Sequence, residues 1–174
     1  MNIAIVECEY IFANNFDEQS FEHRDARLMD KCTKIIVTMA KKLYTKVKGH
    51  EIIPEDIGIV LSSERETFES ISENNSVLKT REYTEINPSK FPNTMPAVLL
   101  SKAVMEIGAK GPCLPLLPYK TSSHAFKYAI EQIKTGRCRA MLIICISNTN
   151  DCLGFFIEDE LSCERRGMEF RHII

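Results

Sequence analysis

Apolar and polar positions along this chain follow two periods in alternation, one suited to strands and one to helices. Residues 1–11 step between apolar and other side chains and predict a strand, and residues 12–21 turn polar and predict a loop. Over residues 25–47, Leu28, Met29, Cys32, Ile35, Ile36, Met39, Ala40 and Leu43 recur at three- and four-residue steps. That spacing lines one face of a helix, which Gly49 would stop. Pro54-Glu55-Asp56 predicts a turn, and Ile57-Gly58-Ile59-Val60-Leu61 a buried strand. Ser62 and Ser63 can cap a helix over residues 64–71, and the polar residues 73–85 read as a surface loop.

Residues 87–96 hold three prolines in ten positions, which makes the backbone stiff and non-helical. An amphipathic helix follows over 97–107, ended by Gly108, and Gly111-Pro112 turns the chain into a short apolar strand at 113–118. A second helix is predicted over 122–134, ended by Gly136, then an apolar strand over 139–147 and its hairpin partner over 152–158. Strands alternating with helices imply an α/β fold with a mixed, mainly parallel sheet flanked by helices and an antiparallel pair at its end. With no repeat, low-complexity tract or linker, residues 1–174 read as one domain.

Charge narrows the partners. The 22 Lys+Arg are scattered among 24 Asp+Glu, for a net charge of -2, and no basic stripe suggests nucleic acid. The longest apolar run, residues 140–146, is far below the ~20 residues of a membrane span. No charged leader or cleavage site marks the N-terminus, so the protein is expected in the cytoplasm with reduced thiols. Cys8, Cys32, Cys113, Cys138, Cys145, Cys152 and Cys163 never form Cys-x-x-Cys, and most sit in apolar segments as small hydrophobes. His23, His50, His124 and His172 lie too far apart for ligand spacing, so neither a metal nor a cofactor is expected. Asp151, Glu158, Asp159 and Glu160 could be taken for a carboxylate cluster, but at the end of a hairpin they read as solvated. There is no phosphate loop, dinucleotide fingerprint or serine elbow. From the residues alone, this is a soluble α/β domain without an evident active site.

The segment from Asn87 to Ser147 resembles the core of the β-ketoacyl synthases, within the thiolase superfamily. Pro88, Pro92, Pro96, Gly108, Gly111, Pro112, His124, Ala125, Gly136 and the 140–146 strand fall in the family's order. Upstream, Pro54-Glu55-Asp56-Ile57-Gly58 after an amphipathic helix resembles it too. The resemblance implies one half of a thiolase-like fold.

The departures carry the functional expectation. In the family, the strand before the buried helix delivers a cysteine whose thiolate takes the acyl chain, its pKa lowered by the helix dipole. Here the matching positions are Tyr119 and Lys120, and Cys113 falls six residues before Tyr119. The family's catalytic histidines belong to a C-terminal half, whereas this chain stops at Ile174. A non-catalytic protein of half length is therefore expected. Ala125, Phe126, Ala129, Ile130 and Ile133 form one apolar stripe with Lys127, Glu131 and Lys134 off it, which suits a helix covered on one side.

Inactive relatives of this kind include chain-length factors, which pair with an active synthase and help shape its acyl tunnel. By resemblance, Cys113, Leu114, Pro115, Leu116 and Leu117 form the dimer edge strand, an open apolar edge that calls for a partner. Pro115 removes a ladder donor there. The preceding loop would reach the partner's tunnel through Pro88, Lys90, Phe91, Pro92 and Met95, unless Phe91 and Met95 pack in this chain's own core. A bulky side chain would stop elongation sterically, since overpacking a closed cavity costs ~1–3 kcal/mol. The expected partners are a full-length β-ketoacyl synthase and an acyl carrier protein. The alternatives are a stand-alone acyl- or carrier-protein-binding module, or an enzyme using Cys113 or Lys120 covalently.

Overall fold

The computed structural model describes residues 2–47, 52–64, 67–80, 83–116 and 122–173. Its centre is a six-stranded sheet built from β1 (Ile3–Ile11), β2 (Ile57–Ser63), β3 (Cys113–Leu116), β4 (Ala140–Ile146), β5 (Cys152–Asp159) and β6 (Arg171–His172), in the order β3-β2-β4-β5-β1-β6. The sheet is mixed. β3 and β4 flank β2 in parallel, while β4-β5, β5-β1 and β1-β6 are antiparallel. The antiparallel part is wider than a terminal hairpin, because β1 docks along β5 and β6 returns to β1.

Helices cover both faces, as the α/β pattern requires. On one side lie α1 (Lys31–Val47) and α3 (Pro96–Ile107), whose Ile35, Ile36, Met39, Leu43, Leu99 and Ala103 pack on Ile57, Ile59, Leu61, Leu142, Ile144 and Phe156. Burial of aliphatic and aromatic side chains on this scale, at ~1.5–3 kcal/mol for each one fully buried, is the main force closing the layers. On the other side α4 (Ser122–Lys134) lays Ala125, Ala129 and Ile133 over Val60, Met141 and Ile143. Lys127, Glu131 and Lys134 are exposed, so α4 is covered on one side in the described residues.

Local signals account for most helix ends. α1 begins at Lys31, six residues later than its apolar period suggests, because Asp30 caps it. The Asp30 carboxylate accepts the Thr33 amide at 2.8 Å, and Ala26–Leu28 forms a separate 3-10 turn. Gly108 ends α3 at φ 73, a left-handed conformation that costs glycine nothing.

Three expectations are corrected. Residues 73–85 are not simply loop, because α2 runs from Phe68–Thr80. Its apolar residues Phe68, Ile71 and Leu78 are exposed while Ser70 is buried, so no core-facing apolar stripe announced it. Ser62 and Ser63 belong to β2, all of whose residues are buried, and the helix begins only at Phe68. The hairpin carboxylates are not all solvated. Glu158 is 1% exposed and pairs with Arg166, the residue after α5 (Glu160–Arg165), while Asp151 accepts the Ala13 amide at 2.8 Å. The chain also forms helix α5 and strand β6, which its apolar pattern does not announce.

Candidate functional site

β2, β3 and β4 run in parallel, and α4 starts beyond their carboxyl ends, the position at which open α/β sheets bind ligands. Ser62 and Ser63 end β2 there, and Ser147 begins the turn after β4. The Ser147 and Thr149 hydroxyls lie 2.8 Å apart, and Thr149 donates to Asp151 at 2.8 Å, so this turn spends its polar groups on itself. Tyr119, Lys120 and Leu117 lie outside the described residues.

Cys113 begins β3, far from the first turn of α4 in sequence and bonded back to the Gly111 carbonyl at 3.3 Å. Burial pushes its thiol above the ordinary value, against a smaller lowering by the Ile59 backbone, so it holds little thiolate at neutral pH. The cysteine that does meet α4's start is Cys145 on β4, bonded by the Ser122 hydroxyl. Its thiol is also raised, chiefly by burial. Cys138 and Cys163 are pushed up to about 11 and about 12 by the same cause. Cys138 and Cys163 are packed as small apolar groups, Cys145 is half-buried and Cys113 is exposed, and the thiols of all four are raised above the ordinary value.

Among the described residues the edge strand is open: β3 pairs with β2 alone, in the register Ile59↔Cys113 and Leu61↔Pro115. With Ile59 N–H donating to the Pro112 carbonyl at 3.0 Å, the amides of Leu114 and Leu116 face β2. Cys113 and Pro115 therefore point their backbone groups at the free edge. Pro115 costs the internal ladder nothing, and the missing donor is on the outer rim.

The loop before α3 presents all its candidate residues outward. Pro88, Lys90, Phe91, Pro92 and Met95 are exposed, Phe91 at 53% and Met95 at 48%, so Phe91 and Met95 do not pack in this chain's core. Prolines 92 and 96 lie in the first turns of the 3-10 segment Phe91–Thr94 and of α3, where a missing amide hydrogen is harmless. β3 packs against α3, the helix that follows the loop. α2, which packs against the 3-10 segment, carries the exposed apolar residues Phe68, Ile71 and Leu78. Their spacing of three and seven residues was visible in the sequence as an apolar face without a core to meet.

Elsewhere, a cavity of about 410 Å3 lies between the Glu22–Arg24 turn and helices α1 and α3. Its cations are already committed. Lys41 pairs with Glu106 at 3.1 Å, and Lys102 pairs with Asp25 at 3.1 Å. The Lys102 hydrogen bond also holds the Asp25 carboxyl below the usual carboxylate range. His23 stands 3.5 Å from Glu106, His124 and His172 are exposed, and His50 lies outside the described residues. Among the described residues no three His, Cys, Asp or Glu side chains converge as a metal site, and no helix is long and apolar enough to cross a membrane.

Known proteins resemble this arrangement closely in fold and distantly in sequence. A complex described as "AntDE:AntF (apo): type II PKS acyl-carrier protein in complex with its ketosynthase bound to the hexaketide" matches at TM-score 0.82 and 12% identity, covering 97% of this chain and 65% of that one. The ishigamide ketosynthase/chain length factor matches at TM-score 0.69 and 16% identity, covering 84% of this chain and 49% of that one. The ketosynthase ApeO in complex with its chain length factor ApeC, from Xenorhabdus doucetiae, matches at TM-score 0.70 and 12% identity, covering 91% and 79%. This chain thus spans about two thirds of the first structure's chain and about half of the second's. No curated protein matches the chain in sequence. The family described as "Beta-ketoacyl synthase, N-terminal domain" matches residues 7–149, with the six-stranded sheet and α4 in the places that the resemblance requires, and the chain belongs to that family.

Proposed function

We propose that this chain is a non-catalytic, chain-length-factor-like subunit that pairs with an active β-ketoacyl synthase and shapes its acyl tunnel in polyketide, polyene or fatty-acid-like biosynthesis. What carries this reading is the synthase-family match, together with the sequence resemblance that sets Tyr119 and Lys120 against the family's nucleophile. A phenol and an ammonium cannot replace a thiolate that must both attack and leave at neutral pH. The raised thiols of Cys113 and Cys145 point the same way. Two features favour a partner over a solitary module. Among the described residues β3 is an open edge, and Phe91 and Met95 stand out from the loop before α3, where a monomer would leave them in water.

On this reading β3 pairs across the subunit interface, and Phe91 and Met95 reach towards the synthase's acyl tunnel. Acyl chains would arrive on a carrier protein, and the work would take place in the cytoplasm as a single domain. The test is co-expression with the full-length ketosynthase of the same source, followed by size-exclusion chromatography with light scattering. A one-to-one complex is expected. Separate elution, with this chain soluble and monomeric, would overturn the reading and leave a stand-alone acyl- or carrier-protein-binding module.

A further inference from the structure

Two hydrogen bonds tie the exposed apolar residues of α2 and of the loop before α3 to one short stretch of chain. Asn93 is 7% exposed, and its Nδ2 donates to the Leu28 carbonyl at 2.6 Å. Ser70 is 8% exposed, and its hydroxyl donates to Asp30 Oδ2 at 2.8 Å. The other oxygen of Asp30 accepts the Thr33 amide at 2.8 Å, so a single carboxylate starts α1 and holds α2. Between these segments lies a cavity of about 120 Å3, lined by Leu28, Asp30, Ser70 and Asn93 among others.

This arrangement inverts the usual logic of a surface helix. On α2 the residue bonded inward is a serine, while Phe68, Ile71 and Leu78 face out at 52%, 41% and 49% exposure. In the loop the inward residue is an asparagine, while Phe91 and Met95 face out. Burial of an apolar stripe therefore does not fix either element. Their placement depends on polar bonds to residues 28–30, and those bonds lie in half-sheltered surroundings where they are directional and strong.

We propose that Asn93 and Ser70 are positioning residues that hold the loop and α2 as one preformed contact surface for the partner ketosynthase. The inference rests on the proposed function for the identity of the partner. A surface ordered before binding loses less conformational freedom on association than one ordered by it, so the anchors act on affinity without touching the partner.

The experiment compares the isosteric Asn93→Asp, which replaces the donor with an acceptor facing a carbonyl, with Ser70→Ala and the hydroxyl-retaining Ser70→Thr. Hydrogen exchange is read on each isolated protein, and affinity for the full-length ketosynthase is read by calorimetry. Exchange at residues 71–80 and 89–95 should quicken in Asn93→Asp and Ser70→Ala while β2 and β4 stay protected, and affinity should fall ~10-fold. Ser70→Thr should restore both. Unchanged exchange overturns the proposal, as does faster exchange with unchanged affinity. If the wild-type chain does not bind a ketosynthase, the functional reading and the partner named here are overturned, whatever the exchange shows.

Discussion

Arg166 pairs its guanidinium with the Glu158 carboxylate where neither side chain meets solvent, the two being 6% and 1% exposed. Cys163 donates to the same carboxylate oxygen at 3.2 Å. Glu158 lies on β5 between Ala4 of β1 and Ala140 of β4, so the small neighbours make room for the charge. The pair fastens the segment after β5 to the sheet. Burial raises the Glu158 carboxyl above its ordinary value, with Cys163 and Arg166 opposing.

The first prediction concerns that pair. Arg166→Met should destabilise the fold by ~3–5 kcal/mol near neutral pH, because it leaves a buried carboxylate unpaired. A carboxyl with a raised folded pKa contributes its stability below the ordinary carboxylate range and loses it as pH rises through the folded pKa. Removing Arg166 raises Glu158 further, so the variant's deficit should grow from pH 4.5 to pH 7.5. Thermal unfolding across that range checks it. A deficit independent of pH would mean that Glu158 is not the group responsible.

Glycine substitutions should separate a packing requirement from a conformational one. A Cβ on Gly111 would sit 2.7 Å from the Ile57 carbonyl carbon and oxygen and 2.8 Å from the Gly58 nitrogen, all backbone atoms of β2. Gly111→Ala should cost about 3 kcal/mol, at the upper end for overpacking, because backbone yields poorly. Gly136 has φ 70 and open space around it, so Gly136→Ala should cost only the left-handed conformation, ~1 kcal/mol. Urea unfolding of both variants would show the order.

At the loop, stability and association should part. Phe91→Glu with Met95→Glu should leave the thermal midpoint within about 2 °C of wild type, since exposed positions away from special features cost little. Co-purification with the ketosynthase should be lost. In a complex that still forms, Phe91→Ala should lengthen the acyl product, read by mass spectrometry of the chains released. Unchanged product length would remove Phe91 from the tunnel floor.

Thiol chemistry offers a check on the non-catalytic reading. With its thiol raised above the ordinary value, Cys113 should alkylate more slowly at pH 7.5 than a free cysteine, and its rate should still be climbing above pH 9. Cys152 and Cys163, fully buried, should stay unlabelled until the chain unfolds. Rapid, saturable modification of Cys113 by an acyl thioester at neutral pH would instead make the chain an enzyme.

What was legible in the sequence was whatever hydrophobic burial or backbone conformation dictates locally. The stripe of α4 named its inner residues and its bounds, and Gly108 marked the end of α3. The edge strand could be read from Gly111-Pro112 and the apolar residues after it, although the direction of Pro115's missing hydrogen bond needed the register with β2. α2 escaped because its apolar residues look outward and its anchor, Ser70, is of a residue type that also signals loops. The buried carboxylate escaped for a different reason: Glu158 and Arg166 are eight residues apart with α5 between them, and nothing in the sequence says that this turn folds back over the strand.

The outer rim of β3 bears on how far the protein can self-associate. The free edge offers the amide of Cys113 but none at Pro115, over a strand of four residues, and the opposite border of the sheet is the two-residue β6. A neighbour that aligns with β3 covers that edge, whereas on the far border β6 pairs with β1 only at Ala4 and Ile5. The four-residue length of β3 and the proline on its rim make that border a poor template for open-ended strand addition.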